Sequence, residues 1–235
     1  MHPDYALFHA IRLSCLSDFE AAVADGANVH GRDVDGRLAM EVAEKFGRIE
    51  EARRLHALGV DPNPAIGKGS DRLIHRAART GNAGFVKLLL EFNVNADIGG
   101  TAGQTPLHLA ARTKHDYMAI DLLEAHADPN ATNDVRDTPL HIAAATNQPA
   151  MIRRLIKSGA DPLATNRTNY TAMHVAAAGG KREALDVFLK HDQLRPPRSD
   201  RLWHRVAKAA EIHGCDEIAN AILAAKGQSC LEARR

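Results

Sequence analysis

One phrase returns through this chain at a fixed interval. Thr105-Pro106-Leu107-His108-Leu109-Ala110-Ala111 recurs as Thr138-Pro139-Leu140-His141-Ile142-Ala143-Ala144. It returns again as Thr171-Ala172-Met173-His174-Val175-Ala176-Ala177, and both steps are 33 residues. A unit that short cannot bury an apolar face by itself. It must lay that face against a copy of itself, which confines the chain to a stacked array with one continuous core. A second phrase keeps the same step: Ala127-Asp128-Pro129-Asn130 and Ala160-Asp161-Pro162 each begin 22 residues after the Thr of their unit. Weaker forms fit the frame upstream, with Ile74-His75-Arg76-Ala77-Ala78, Met40-Glu41-Val42-Ala43 and Leu7-Phe8-His9-Ala10 in the place of the motif. The frame starts run Tyr5, Leu38, Arg72, Thr105, Thr138 and Thr171, so a single step of 34 marks one residue inserted near Gly67-Lys68-Gly69-Ser70.

The Thr-Pro-Leu-His-x-Ala phrase at this period resembles the ankyrin-repeat family, and repeat-like sequence covers essentially the whole chain. The resemblance implies an all-α solenoid forming a single domain, 1–235. About six helix–turn–helix units (1–33, 34–67, 68–100, 101–133, 134–166 and 167–199) precede a degenerate, capping helix pair at 200–227 and a frayed tail at 228–235. The residues of a unit support this reading on their own. Pro106 suits the first turn of a helix, where its missing N–H goes unmissed, and Thr105 before it is a natural N-cap. Met118, Ile120, Leu122 and Leu123 are apolar at helical spacing. The spacing predicts helices near 105–113, 116–125, 138–146, 149–158, 171–178 and 181–191. Phe8 and Glu41 stand where later units carry His, which predicts altered hydrogen bonding in the first two turns. Leu194-Arg195-Pro196-Pro197-Arg198 reads as a stiff link into the last pair, and Trp203, the only tryptophan, is expected to pack on the sixth unit.

The formal charge is +1, so composition implies no bulk polyanion partner, and there is no arginine-rich segment of the kind that grips nucleic acid. Three cysteines, Cys15, Cys215 and Cys230, match no zinc spacing and suit a reducing compartment. No basic-then-apolar leader and no apolar run of about 18 residues is present. The expectation is a soluble cytoplasmic protein, monomeric when free and without a membrane partner. Delivery into another cell by a specialised secretion machine would leave no mark in these residues.

Thirteen histidines invite a metal or catalytic reading. Four of them, His75, His108, His141 and His174, fall on the motif position, and the resemblance implies that they tie each turn to its helix and to the neighbouring unit. His204, His213, Cys215 and Asp216 form one local group whose spacing fits no metal pattern. Gly99-Gly100-Thr101-Ala102-Gly103 lacks the Gly-Lys-Ser/Thr of a phosphate loop and falls where a repeat must turn. No catalytic residue, cofactor or metal is therefore expected.

In this family partners dock on a concave side made of turn tips and first helices. Seven residues after each frame start the chain reads Arg12, Lys45, Arg79, Arg112, Ala145 and Ala178, a basic file over four consecutive units. Such cations also suit helix C-termini without any partner. If they bind, they predict an acidic partner surface, with Phe46 and Tyr170 as aromatic anchors and Arg136 and Arg167 on the tips. The resulting expectation is a protein–protein interaction module: an adaptor, an inhibitor or a toxin-immunity protein. The alternatives are a secreted bacterial effector acting on a host protein or, from another class, an enzyme or ligand-binding protein using the degenerate C-terminal unit.

Overall fold

The computed structural model describes residues 2–67, 69–190 and 200–232. Among these residues the regular structure is fourteen α-helices and one 3-10 turn, Thr101–Gly103, with two isolated β-bridges. The helices come in pairs: α1 (Pro3–Leu13) and α2 (Leu16–Ala24), α3 (Ala39–Phe46) and α4 (Ile49–Ala57), α5 (Leu73–Thr80) and α6 (Ala83–Glu91), α7 (Pro106–Thr113) and α8 (Asp116–Glu124). They continue with α9 (Pro139–Ala145) and α10 (Pro149–Lys157), α11 (Ala172–Ala178) and α12 (Arg182–Leu189), α13 (Asp200–Ile212) and α14 (Asp216–Glu232). Odd-numbered helices pack on one another in one layer and even-numbered helices in a second, so the chain is an all-α solenoid. The core runs without a break from Leu7 through Leu73, Leu107, Leu140 and Met173 to Trp203 and Ile222.

The motif explains how each pair is built. Pro106 and Pro139 occupy the first turns of their helices, and Thr105, Thr138 and Thr171 hold extended backbone at the N-cap. Ala110, Ala111, Ala143 and Ala144 are buried and small, which lets neighbouring helices approach. A hairpin-like tip precedes each first helix from the second unit to the sixth. It is closed by one main-chain bond: Asp33 to Arg37, Ile66 to Asp71, Gly100 to Gln104, Asn133 to Asp137 and Asn166 to Tyr170. Four of these bonds close over four residues and the Ile66–Asp71 bond over five, which puts the inserted residue inside that tip. Successive tips are stitched by Asp134 N–H to the Ala102 carbonyl (3.1 Å) and Arg167 N–H to the Val135 carbonyl (2.9 Å).

Two sequence expectations change here, one at Glu41 and one in the tail, while Phe8 behaves as expected. Glu41 does not unsettle its turn: its Oε1 accepts the Leu38 N–H at 3.2 Å, the bond a motif His would accept. Phe8 has no polar atom to offer and is simply buried. At the far end α14 continues to Glu232, past Gly227 and into the stretch expected to fray, because one glycine inside a run of good helix formers costs only about 1 kcal/mol. The stiff link expected at 194–198 lies outside the described residues, as do Lys68 and 233–235.

Two glycines are held in place by their neighbours. Gly100 lies against Asp71 and the His75 ring, and a Cβ there would meet both. Gly81 ends α5 at φ +81°, and a Cβ there would meet the His115 ring. Gly81→Ala is therefore expected to lower stability by about 1–2 kcal/mol. Gly84→Ala, in the first turn of α6 with open space around it, should raise stability by up to about 1 kcal/mol. Thermal unfolding of the two variants checks the contrast, and a stabilised Gly81→Ala protein would refute it.

Candidate functional site

The chemistry-bearing side chains fall into two groups: those that hold the stack and those that face outward from the tips and first helices. The motif histidines belong to the first group. His108 Nδ1 accepts from the Thr105 N–H (3.3 Å) and the Thr105 hydroxyl (2.9 Å), while Nε2–H donates to the Asp137 carbonyl of the next tip (2.9 Å). His141 repeats this with Thr138 and the Tyr170 carbonyl. His75 bonds the Arg72 N–H and the Ile98 carbonyl. His174 bonds Thr171 in the same way, but its buried Nε2 has no hydrogen-bond partner among the described residues. Burial pushes all four rings below the usual imidazole range, His174 down to about 4.

The eight residues singled out for partner contact lie on the tips and first-helix ends, and they differ in how much of each is free. Arg12 donates to Asp33 at 2.7 Å and approaches Asp35 at 3.9 Å. Burial works against ionisation of Asp33, but the N–H groups of Arg37 and Asp35 and the Arg12 guanidinium outweigh it and hold this carboxyl below its ordinary range. Arg79 is bound by Asp71, which also accepts the Thr101 N–H at 2.7 Å. There too burial is overcome, by Thr101 and Arg79, and Asp71 is held at about 2. The file of like charges is thus half neutralised from within, because the acids of the tips lie beside the helix ends. Lys45 and Arg112 are exposed and have no ion pair among the described residues. The Lys45 ammonium sits 5.6 Å from the centroid of Phe46, whose ring is partly exposed. Arg136 and Arg167 are exposed on their tips, together with Val34 and Val135. Tyr170 is half-buried and stacked on His174 at 5.3 Å, and its carbonyl receives His141, so much of it serves the stack.

Sequence reasoning missed a cluster at the junction of the second and third units. Arg76 donates to Glu44 at 2.8 Å (Nε), to Glu41 at 3.0 Å (Nη1) and to the Glu41 carbonyl at 3.0 Å (Nη2). Both carboxylates are buried, with Glu41 7% and Glu44 4% exposed. The signal was present in the frame. Arg76 stands where other units have Leu109, Ile142 and Val175, Glu44 where they have alanine and Glu41 where they have histidine. An open pocket of about 530 Å³ adjoins the cluster, lined by Arg37, Glu44, Lys45, Arg76, Thr80 and Asn82. A smaller hollow of about 270 Å³ lies at the first unit between Tyr5, Phe8, Arg12 and Val34. In the last pair, His204 and His213 are exposed and the Cys215 thiol faces the Ala178 carbonyl at 3.7 Å.

Comparison with known families agrees with this geometry. A family model of ankyrin repeats in three copies matches residues 39–133, 118–200 and 140–231. The chain belongs to the ankyrin-repeat family. Ankyrin repeats are in general protein–protein interaction modules, and proteins built from them are typically binding proteins without enzymatic activity. No curated protein matches the chain. No described helix of this ankyrin-repeat protein is long and apolar enough to cross a membrane.

Proposed function

We propose that this ankyrin-repeat protein is an interaction module that binds a protein partner on the surface formed by its turn tips and the ends of its first helices. In this role it acts as an adaptor, an inhibitor or the immunity partner of a toxin. The observation that carries the reading is the division of labour among its polar groups. The buried histidines and the tip acids Asp33, Asp71 and Asp137 are engaged in the stack, while Lys45, Arg112, Arg136 and Arg167 are exposed, as are Phe46, Val34 and Val135. Arginine and aromatic groups set in an apolar surround are the usual energetic centres of an interface. Unpaired cations along one edge favour an acidic partner surface and hasten its approach, an effect that salt screens.

The test is a footprint. A photo-crosslinking residue placed at Arg136, and a second at Arg153 on α10, should capture the same partner at the first position and not at the second. Once that partner is in hand, exchanging Lys45 and Arg112 for Glu should weaken binding at low salt by about tenfold or more, mainly through slower association. The same exchange at Arg153 and Arg154 should change it less than about threefold. Arg79 is not a clean probe, because Arg79→Glu would set a second carboxylate against Asp71 and disturb a tip. Equal affinity for wild type and the Lys45/Arg112 variant would move the contact surface elsewhere, and capture at Arg153 alone would overturn the reading. A gene for a toxin beside this one would favour immunity over the effector alternative, and a neighbouring secretion locus the reverse.

A further inference from the structure

Four features meet at the junction of the second and third units. The tip at Ile66–Asp71 carries the extra residue. Among the described residues no main-chain bond ties this tip to the one at Asp33–Arg37 or to the one at 100–104, whereas the tips at 100–104, 133–137 and 166–170 are tied in series. Helices α3 and α5 pack more sparsely than any other successive pair of first helices. Their contact is built on Glu41, Glu44 and Arg76 where other units use apolar side chains or His, and the 530 Å³ pocket opens there. A solenoid that spreads at one joint exposes a cleft between units, and here the ion cluster keeps the walls from collapsing onto each other.

The charges of the cleft are unequal in what they lack. Arg76 is charge-paired with Glu41 and Glu44, and Arg37 with Asp35 at 2.6 Å. Among the described residues Lys45 on the same wall has only the face of Phe46. We propose that this cleft is a docking pocket for a carboxylate side chain, Asp or Glu, of the protein partner. Lys45 is its counter-ion and Phe46 supports the apolar stem. The inference rests on the interaction-module reading and names the group that the partner inserts. A cationic side chain is disfavoured, because Arg37 and Lys45 would repel it and the Glu44 carboxylate nearest the pocket is already engaged. A phosphate dianion is disfavoured as well, because one free ammonium faces it while the Glu44 charge lies in the wall.

The experiment is a titration of the isotope-labelled full chain at low salt, followed by amide NMR, with three probes: acetyl-hexaglutamate amide, acetyl-hexalysine amide and inorganic phosphate. Hexaglutamate should give saturable shifts at residues 44–46 and 80–82, and the other two probes should not. Lys45→Met should weaken hexaglutamate binding by about fivefold or more, while Arg153→Met, on α10 away from the pocket, leaves it within about twofold. Both residues are exposed, so both variants should melt with the wild type. Shifts that do not saturate, equal losses in the two variants, or tighter binding of phosphate or hexalysine at these residues would each overturn the proposal. If hexaglutamate fails while a partner still crosslinks at Arg136, the pocket falls and the interaction-module reading stands. A partner captured only at Arg153 sinks that reading without touching the peptide result.

Discussion

Arg76→Leu is expected to destabilise the protein by about 3–5 kcal/mol, although leucine is what the fourth unit carries at the same place. The reason is what the substitution leaves behind. Glu41 and Glu44 are 7% and 4% exposed, and Arg76 is the only cation that reaches them among the described residues. Removing it strands two carboxylates in a low-dielectric joint, where an unpaired charge costs far more than the pair contributed. The triple variant Glu41→His, Glu44→Ala, Arg76→Leu writes the pattern of His108, Ala111 and Leu109 into this junction and removes the charges together. It should recover to within about 2 kcal/mol of wild type or exceed it, since replacing a buried ion cluster by apolar groups is often neutral or stabilising. Urea midpoints of the wild type, the single variant and the triple variant decide the matter. A single variant that loses less than about 1 kcal/mol would mean that water reaches the carboxylates and the cluster braces nothing.

The fold was legible because the repeat fixes so much at once. Period, motif and breaker agreed, so the helices expected near 105–113, 116–125 and 149–158 appear at 106–113, 116–124 and 149–157. The ends agree within a residue because Pro106 and Pro149 punctuate the starts. The histidine role was readable from the family resemblance, and the bonds of His108 and His141 to the next tip bear it out. The tail expected to fray from 228 is helical to Glu232, because the residues around Gly227 favour a helix.

The surface was only half legible. A frame shows that Arg12, Lys45, Arg79 and Arg112 share a helix position, but not which of them an acid will meet. That depends on Asp33 and Asp71, residues of the tips, whose positions in space follow from tip geometry and not from helical periodicity. The Glu41–Glu44–Arg76 cluster was hidden differently. Each departure from the motif looks like decay when its unit is read alone, and the compensation appears only across the unit boundary, with Glu41 and Arg76 35 positions apart.

Acid is expected to loosen this protein before its carboxylates titrate. His75, His108, His141 and His174 are each at most 2% exposed and are held neutral by burial first. In His75, His108 and His141 the Nε2–H is given to a carbonyl, so Nδ1 must stay bare to accept from the N-cap residue, and a second proton would break that bond. For His174 the nearby Arg205 adds repulsion to burial, and its pKa falls to about 4. A histidine whose pKa is lower folded than unfolded favours the neutral form. Its contribution is complete above the unfolded value of about 6.5 and drains away as the pH falls toward the folded value. For His174 alone this removes about 2 kcal/mol by pH 5 and about 3 kcal/mol in all, and the other three rings act in the same direction. Asp71, held at about 2, loses its contribution only further down, from the ordinary carboxylate range toward that value. Urea midpoints should therefore fall steadily between pH 6.5 and 4. His174→Gln, which cannot take up the proton, should start lower at pH 7 and show a slope in that window shallower by up to about 1.4 kcal/mol per pH unit. A wild-type midpoint that stays level from pH 7 to 5 would mean that the braces accept a proton without breaking.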